Sequence, residues 1–127
     1  MIFPDDIIRV ILKEMDFERE AMKFDDEIFQ RTLYDFSKRN ASLFNNFIFS
    51  TSGTFPYSDL VERVLTRAKI SRVLKTVNPD FEFLQLAPGT GEYVDEKIKP
   101  KFSAPDYEIL KEIGKELNTK FRTLSTS

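Results

Sequence analysis

There is no cysteine and no histidine anywhere in this sequence of 127 residues. Disulfides, thiolate chemistry and the common zinc and haem ligand sets are therefore excluded. A cysteine-free chain fits a reducing compartment, and a cytoplasmic location is the expectation. Acid–base catalysis would fall to carboxylates, lysine or tyrosine. A serine nucleophile would need a lysine base, and no Ser-x-x-Lys occurs. Paired carboxylates of the glycosidase kind need a cleft that a chain of this size can hardly supply, so no enzymatic role is expected. Long apolar runs are missing too. The run Ile7, Ile8, Val10, Ile11, Leu12 is cut by Arg9 and Lys13 and preceded by Asp5 and Asp6, so neither a secretory leader nor a membrane span is expected.

What the chain does hold is phenylalanine, 13 of them, in a sequence that is 41% hydrophobic and 31% charged. That many large rings argue for a packed core and against disorder, and the length suits one domain. The formal net charge is −2, but it is unevenly spread. Residues 1–35 carry ten acids against five bases, residues 36–76 two against seven, and residues 77–127 nine against seven. The positive charge is confined to the middle of the chain, a pattern that bears on partners.

Apolar spacing predicts a helix from about Pro4 to Asp16, with Ile7, Ile8, Ile11 and Met15 on one face. A second helix follows Asp25-Asp26, either of which can cap it, and fades near Arg39-Asn40. Asn46 to Ser50 reads as a short strand. Ser58 caps a third helix whose Leu60, Val61, Val64, Leu65 and Ala68 lie on one face. Ile70–Val77 and Phe81–Leu86 read as two strands joined through Asn78-Pro79-Asp80, a type I turn composition. A short helix is expected over Glu92–Lys97, stopped by Pro100. Ser103 caps the clearest helix, with Pro105 in its first turn and a stripe of Tyr107, Leu110, Ile113, Gly114, Leu117 and Phe121. The resulting organisation is a single α+β domain, mostly helical, over 1–127. It has an N-terminal helix in 1–24, a core in 25–87, C-terminal helices in 88–121 and a flexible tail at 122–127.

The order of elements over residues 26–87 resembles a winged helix, in pattern and without a specific motif. That resemblance implies a recognition helix followed by a two-stranded wing, and helices outside the core that pair subunits. The sequence departs in one respect: a winged helix has two helices between its first strand and its wing, and only residues 58–69 fill that interval here.

The third helix and the strands after it hold the strongest candidate site. Between Arg63 and Lys75 there are five bases and no acid. Arg63, Thr66 and Arg67 stand at i, i+3 and i+4 on the outer face, where arginine can hold guanine or phosphate. Lys69, Arg72 and Lys75 extend the positive surface toward the hairpin. An amphipathic helix also needs a polar outer face, and arginine is a good helix former, so the same residues fit a solvated edge.

The preferred function is thus a small DNA-binding protein of winged-helix type, a candidate transcriptional regulator binding double-stranded DNA as a homodimer through Tyr107, Leu110, Ile113, Gly114, Leu117 and Phe121. The alternative is a non-enzymatic adaptor or accessory subunit whose basic middle meets an acidic protein, and Asp80 and Glu82 at the hairpin tip favour it. No cofactor is expected. Acids at Asp16, Glu18, Glu20 and Asp25 to Glu27 could hold calcium or magnesium, but Asp-x-Asp-x-Asp-Gly spacing is absent and helix starts favour acids. Gly89-Thr90-Gly91 has neither phosphate-loop spacing and reads as a turn. Lys97, Lys99 and Lys101 read as a solvated linker that could also meet phosphate.

Overall fold

The apolar residues of the first helix decide how everything else is arranged. In the computed structural model, which describes residues 1–77 and 83–126, α1 spans Pro4–Glu14. Pro4 occupies its first turn, and the backbone N–H of Phe3 donates to Asp6 Oδ2 at 2.9 Å. Ile7, Ile8, Val10, Ile11 and Leu12 are all exposed by 2% or less. A helix apolar on nearly every side must lie inside the molecule. Here α1 is wrapped by the third and last helices and by the segment after the sheet.

The chain turns after α1 at Asp16, whose φ of 57° is left-handed, and runs into a two-residue strand, β1 (Met22–Lys23). Helix α2 (Asp26–Arg39) is capped by Asp25, whose carboxylate accepts from the Ile28 N–H at 3.0 Å. Helix α3 (Asp59–Ile70) is capped by Ser58 through Val61 N–H at 3.3 Å. Strands β2 (Leu74–Thr76) and β3 (Phe83–Leu86) follow. The sheet is antiparallel in the order β1-β3-β2, with Met22 opposite Leu84 and Leu74 opposite Leu86. Leu74, Leu84 and Leu86 point inward and Lys75 outward, the alternation of a half-buried sheet. A short α4 (Thr90–Tyr93), a π turn over Val94–Ile98 and a 3₁₀ turn over Lys99–Lys101 lead to α5 (Ala104–Thr126). The fold is α+β and mostly helical, and no helix among the described residues is long and apolar enough to cross a membrane.

Several expectations change. Asn46–Ser50 is not a strand. Residues 41–46 form turns, and the one sheet-like contact there is an isolated bridge between Ser50 and Tyr57. The reason is that Phe44 and Phe47 turn into the core, at 2% and 6% exposure, and no neighbouring strand offers its edge. The first strand lies instead at Met22–Lys23, too short for alternation to reveal. Two helices, α2 and α3, therefore separate the first strand from the β2–β3 pair. The turn at Asn78-Pro79-Asp80, with Phe81 and Glu82, lies outside the described residues. Helix α3 also continues through Ile70, where a strand was expected to start. The helix expected over Glu92–Lys97 instead begins at Thr90 and widens into the π turn at Val94.

The largest change concerns α5. Ser103 does cap it, its hydroxyl accepting from Asp106 N–H at 3.2 Å. The helix runs to Thr126 rather than fraying at residue 122, and Arg122 donates to the Asp16 carbonyl at 3.0 Å. Its apolar stripe faces α1 of the same chain. Leu110, Ile113, Leu117 and Phe121 have no exposed surface and Tyr107 has 7%. At Gly114 a Cβ would stand 2.5 Å from Glu14 Cβ and 2.9 Å from the Glu14 carbonyl carbon. Glycine lets the two helices touch there. The six residues expected to pair two subunits are buried within this chain, where α5 packs on α1, α2 and β1.

Candidate nucleic-acid interface

Helix α3 owes its position to a buried polar link with α2. Gln30 is fully buried. Its Oε1 accepts from the backbone N–H of Ser58 at 3.0 Å, and its Nε2 donates to the Ser58 carbonyl at 3.2 Å and to Glu62 Oε2 at 3.1 Å. A buried amide left unpaired would cost about 1–3 kcal/mol, so Gln30 ties the start of α3 to one register on α2. The apolar face of α3, made of Val61, Val64, Leu65 and Ala68, is buried. Arg63, Thr66, Arg67 and Ile70 lie on the opposite face, all exposed, with Asp59 at its N-terminal end.

The end of α3 sets the next two cations. Ser71 is the C-cap, and the N–H of Val73 returns to the carbonyl of Ala68 at 2.9 Å while that of Arg72 returns to Lys69 at 3.1 Å. This is the Schellman arrangement, which calls for a left-handed residue at the position of Arg72. Its φ is 66°. Glycine is the usual occupant, because a Cβ there is strained. Arg72 is exposed, and Lys75 points outward from β2.

All six residues singled out from the sequence, Arg63, Thr66, Arg67, Lys69, Arg72 and Lys75, are thus exposed on α3, the turn after it and β2. Their electrostatics differ. The Arg67 guanidinium grips Asp5 of α1 with two bonds, Nη2 to Oδ1 at 2.6 Å and Nε to Oδ2 at 3.0 Å. That pair holds the Asp5 carboxyl below its usual range and raises Arg67. Arg63, Lys69, Arg72 and Lys75 make no such pair with a described residue. Comparison with known proteins finds no matching family model, no similar curated protein and no similar solved structure. The site must therefore be read from its geometry.

Lys69 sits at the edge of α3, beside a small cavity lined by Phe24, Asp26, Glu62, Leu65 and Leu84. Asp26 is half-buried there. Burial first, and then its hydrogen bond to Glu62, push its carboxyl up to about 7. Sequence reasoning missed this carboxyl pair, because Asp26 and Glu62 are distant in the chain and each alone looks like a helix-start acid.

Other candidates are spoken for within the chain. The N–H groups of Gly89 and Gly91 donate to the Glu18 carboxylate at 2.7 and 3.2 Å, so the chain's own acid fills the glycine turn. Lys101 bonds Asp6 at 2.9 Å and lies over the Phe3 ring, and Lys99 lies over Tyr107. Among the described residues no group of three or more acids gathers as a metal site would need.

Proposed function

We propose that this chain is a small winged-helix-like DNA-binding protein, a transcriptional regulator whose helix α3 enters the major groove. The observation that carries the reading is the run of exposed cations Arg63, Lys69, Arg72 and Lys75 on α3 and the turn and strand that follow it, none of which forms a salt bridge with a described residue. Two further features support it. A helix, a strand, two helices and two more strands, with the sheet ordered β1-β3-β2, is the sequence of elements a winged helix uses. And Arg72 keeps a charged side chain where the backbone favours glycine, which is costly without a use for the charge. Arginine and lysine at these places would hold phosphates, while Arg63 and Thr66 would meet base edges. Asp59 at the start of the stripe would face cytosine amino groups rather than phosphate. Pairing through the α5 stripe is not part of the proposal.

One observation favours the adaptor reading, in which the partner is an acidic protein. Beside the first turn of α3 a groove is lined by Asn46, Ser50, Tyr57, Asp59, Leu60 and Arg63, and by Ile48, which is 83% exposed. A protein with an apolar anchor and acidic rim would suit it.

A duplex-binding titration over a salt series separates the two. Four cations without a salt bridge to a described residue, each meeting one phosphate, predict that log affinity falls with log salt at a slope of about −3.6. Asp5→Asn releases Arg67 for a fifth phosphate and should steepen the slope to about −4.5 while tightening binding at low salt. No measurable duplex binding at low salt would promote the adaptor reading. Binding that ignores Asp5→Asn would mean that Arg67 does not face the duplex.

A further inference from the structure

One residue on the outer face of α3 does not belong to a solvated polar edge. Ile70 is 77% exposed, on the same stripe as Arg63, Thr66 and Arg67, since seven residues make nearly two full helical turns. Its neighbours Thr66, Arg67, Lys69, Ser71 and Arg72 are all polar and all exposed, and the next apolar residue, Val73, is partly buried against the core. A protein interface is built around a contiguous apolar centre, and the α3 stripe has no second aliphatic group to provide one; the next exposed aliphatic, Val77 at 49%, lies beyond β2. The exposed Ile48 and Tyr57 line a groove at the opposite end of α3, with roughly 15 Å of helix between. What fits a single aliphatic side chain inside a field of cations is a single methyl group inside a field of phosphates. In the major groove thymine supplies one, on carbon 5 of its ring.

We infer that Ile70 is a specificity-determining residue that packs on a thymine methyl, so that the chain selects DNA carrying a thymine at one fixed place in its site. The inference rests on the DNA-binding reading above. Ile70 stands about 10 Å along the helix axis from Arg63, which is about three base pairs. The thymine lies two to three base pairs from the pair met by Arg63. The same contact separates DNA from RNA, because uracil lacks the methyl.

The test uses a duplex library randomised over about twenty base pairs. The sequence enriched by the wild-type protein is remade with deoxyuridine in place of thymine, one position at a time, which removes one methyl and no hydrogen-bonding group. At one position affinity should fall about four-fold, the effect expected for one buried methyl. Ile70→Ala should bind the thymine duplex about four-fold more weakly, bind both duplexes equally, and keep the wild-type salt slope, because no phosphate contact changes. Equal binding of thymine and deoxyuridine duplexes at every position by the wild-type protein overturns the inference and leaves DNA binding intact. So does an Ile70→Ala variant that still distinguishes them. A library from which nothing is enriched at low salt overturns the DNA-binding reading itself, and this inference with it.

Discussion

Replacing Arg72 with glycine should make the protein more stable and a poorer binder at once. The backbone there is left-handed, with φ of 66°, and the Schellman bonds from Val73 to Ala68 and from Arg72 to Lys69 hold it so. A residue with a Cβ is strained in that region by about 1–2 kcal/mol. Glycine removes the strain but adds about 0.5–1 kcal/mol of entropy to the unfolded chain. The net gain is about 0.5–1 kcal/mol, a rise in Tm of about 2–5 °C for a chain of this length. The charge is separated from the backbone by a second variant. Arg72→Ala keeps the strain and loses the guanidinium, so its stability should match the wild type. Both variants should flatten the salt slope of duplex binding by about 0.9, one phosphate contact. Thermal unfolding by circular dichroism gives the first quantity and a fluorescence titration the second. An Arg72→Gly protein less stable than Arg72→Ala would refute the strain argument. A glycine variant that is more stable and binds as before would show that the charge at this turn does no work on DNA.

The crossing of α1 and α5 makes the opposite forecast for another glycine. Gly114→Ala gains about 1 kcal/mol of helix propensity, yet its Cβ would press on the Glu14 backbone. Overpacking of that kind costs about 1–3 kcal/mol or more, so urea unfolding should show a net loss, whereas a gain would mean that the helices part easily. At Asp26, whose carboxyl is pushed up to about 7 by burial and then by Glu62, with Lys69 and Asp25 nearby, the folded state holds a proton that the unfolded state releases near pH 4. Stability should therefore decline between about pH 4 and pH 7 as that proton is lost. Asp26→Asn should be more stable than wild type at pH 8 by about 1 kcal/mol after allowance for solvent screening, and equal to it near pH 4. A variant weaker at pH 8 would mean that the carboxylate, not the acid, is what α3 needs.

Much of the helical part was readable because it depends on local chemistry. Asp25, Ser58 and Ser103 cap where their residue types suggest, and the burial of Val61, Val64, Leu65 and Ala68 follows from their spacing. The exposed cations of α3 were legible for the same reason. What stayed hidden depends on distant partners. Met22–Lys23 is a strand only because Phe83 and Leu84 stand beside it. Asn46–Ser50 has strand-like composition, but its rings found a core instead of an edge. An apolar stripe such as that of α5 looks alike whether it covers its own subunit or another, and only Glu14 beside Gly114 tells which. The grip of Asp5 on Arg67 joins residues 62 positions apart, and no local pattern encodes it.

The placement of α1 has a consequence for how the protein is made. About ninety residues separate Glu14 from Ala104, so at typical synthesis rates α1 emerges roughly 5–20 s before α5 begins to follow it. During that interval Ile8, Ile11 and Leu12 lack the helix that shields them. A nascent chain of this protein is a sticky one, and the emergence of α5 from the ribosome, rather than the formation of α1 itself, is the moment at which α1 can be covered. Chaperone capture during translation should concentrate on the first fifteen residues and end once Tyr107 and Gly114 are free to reach them.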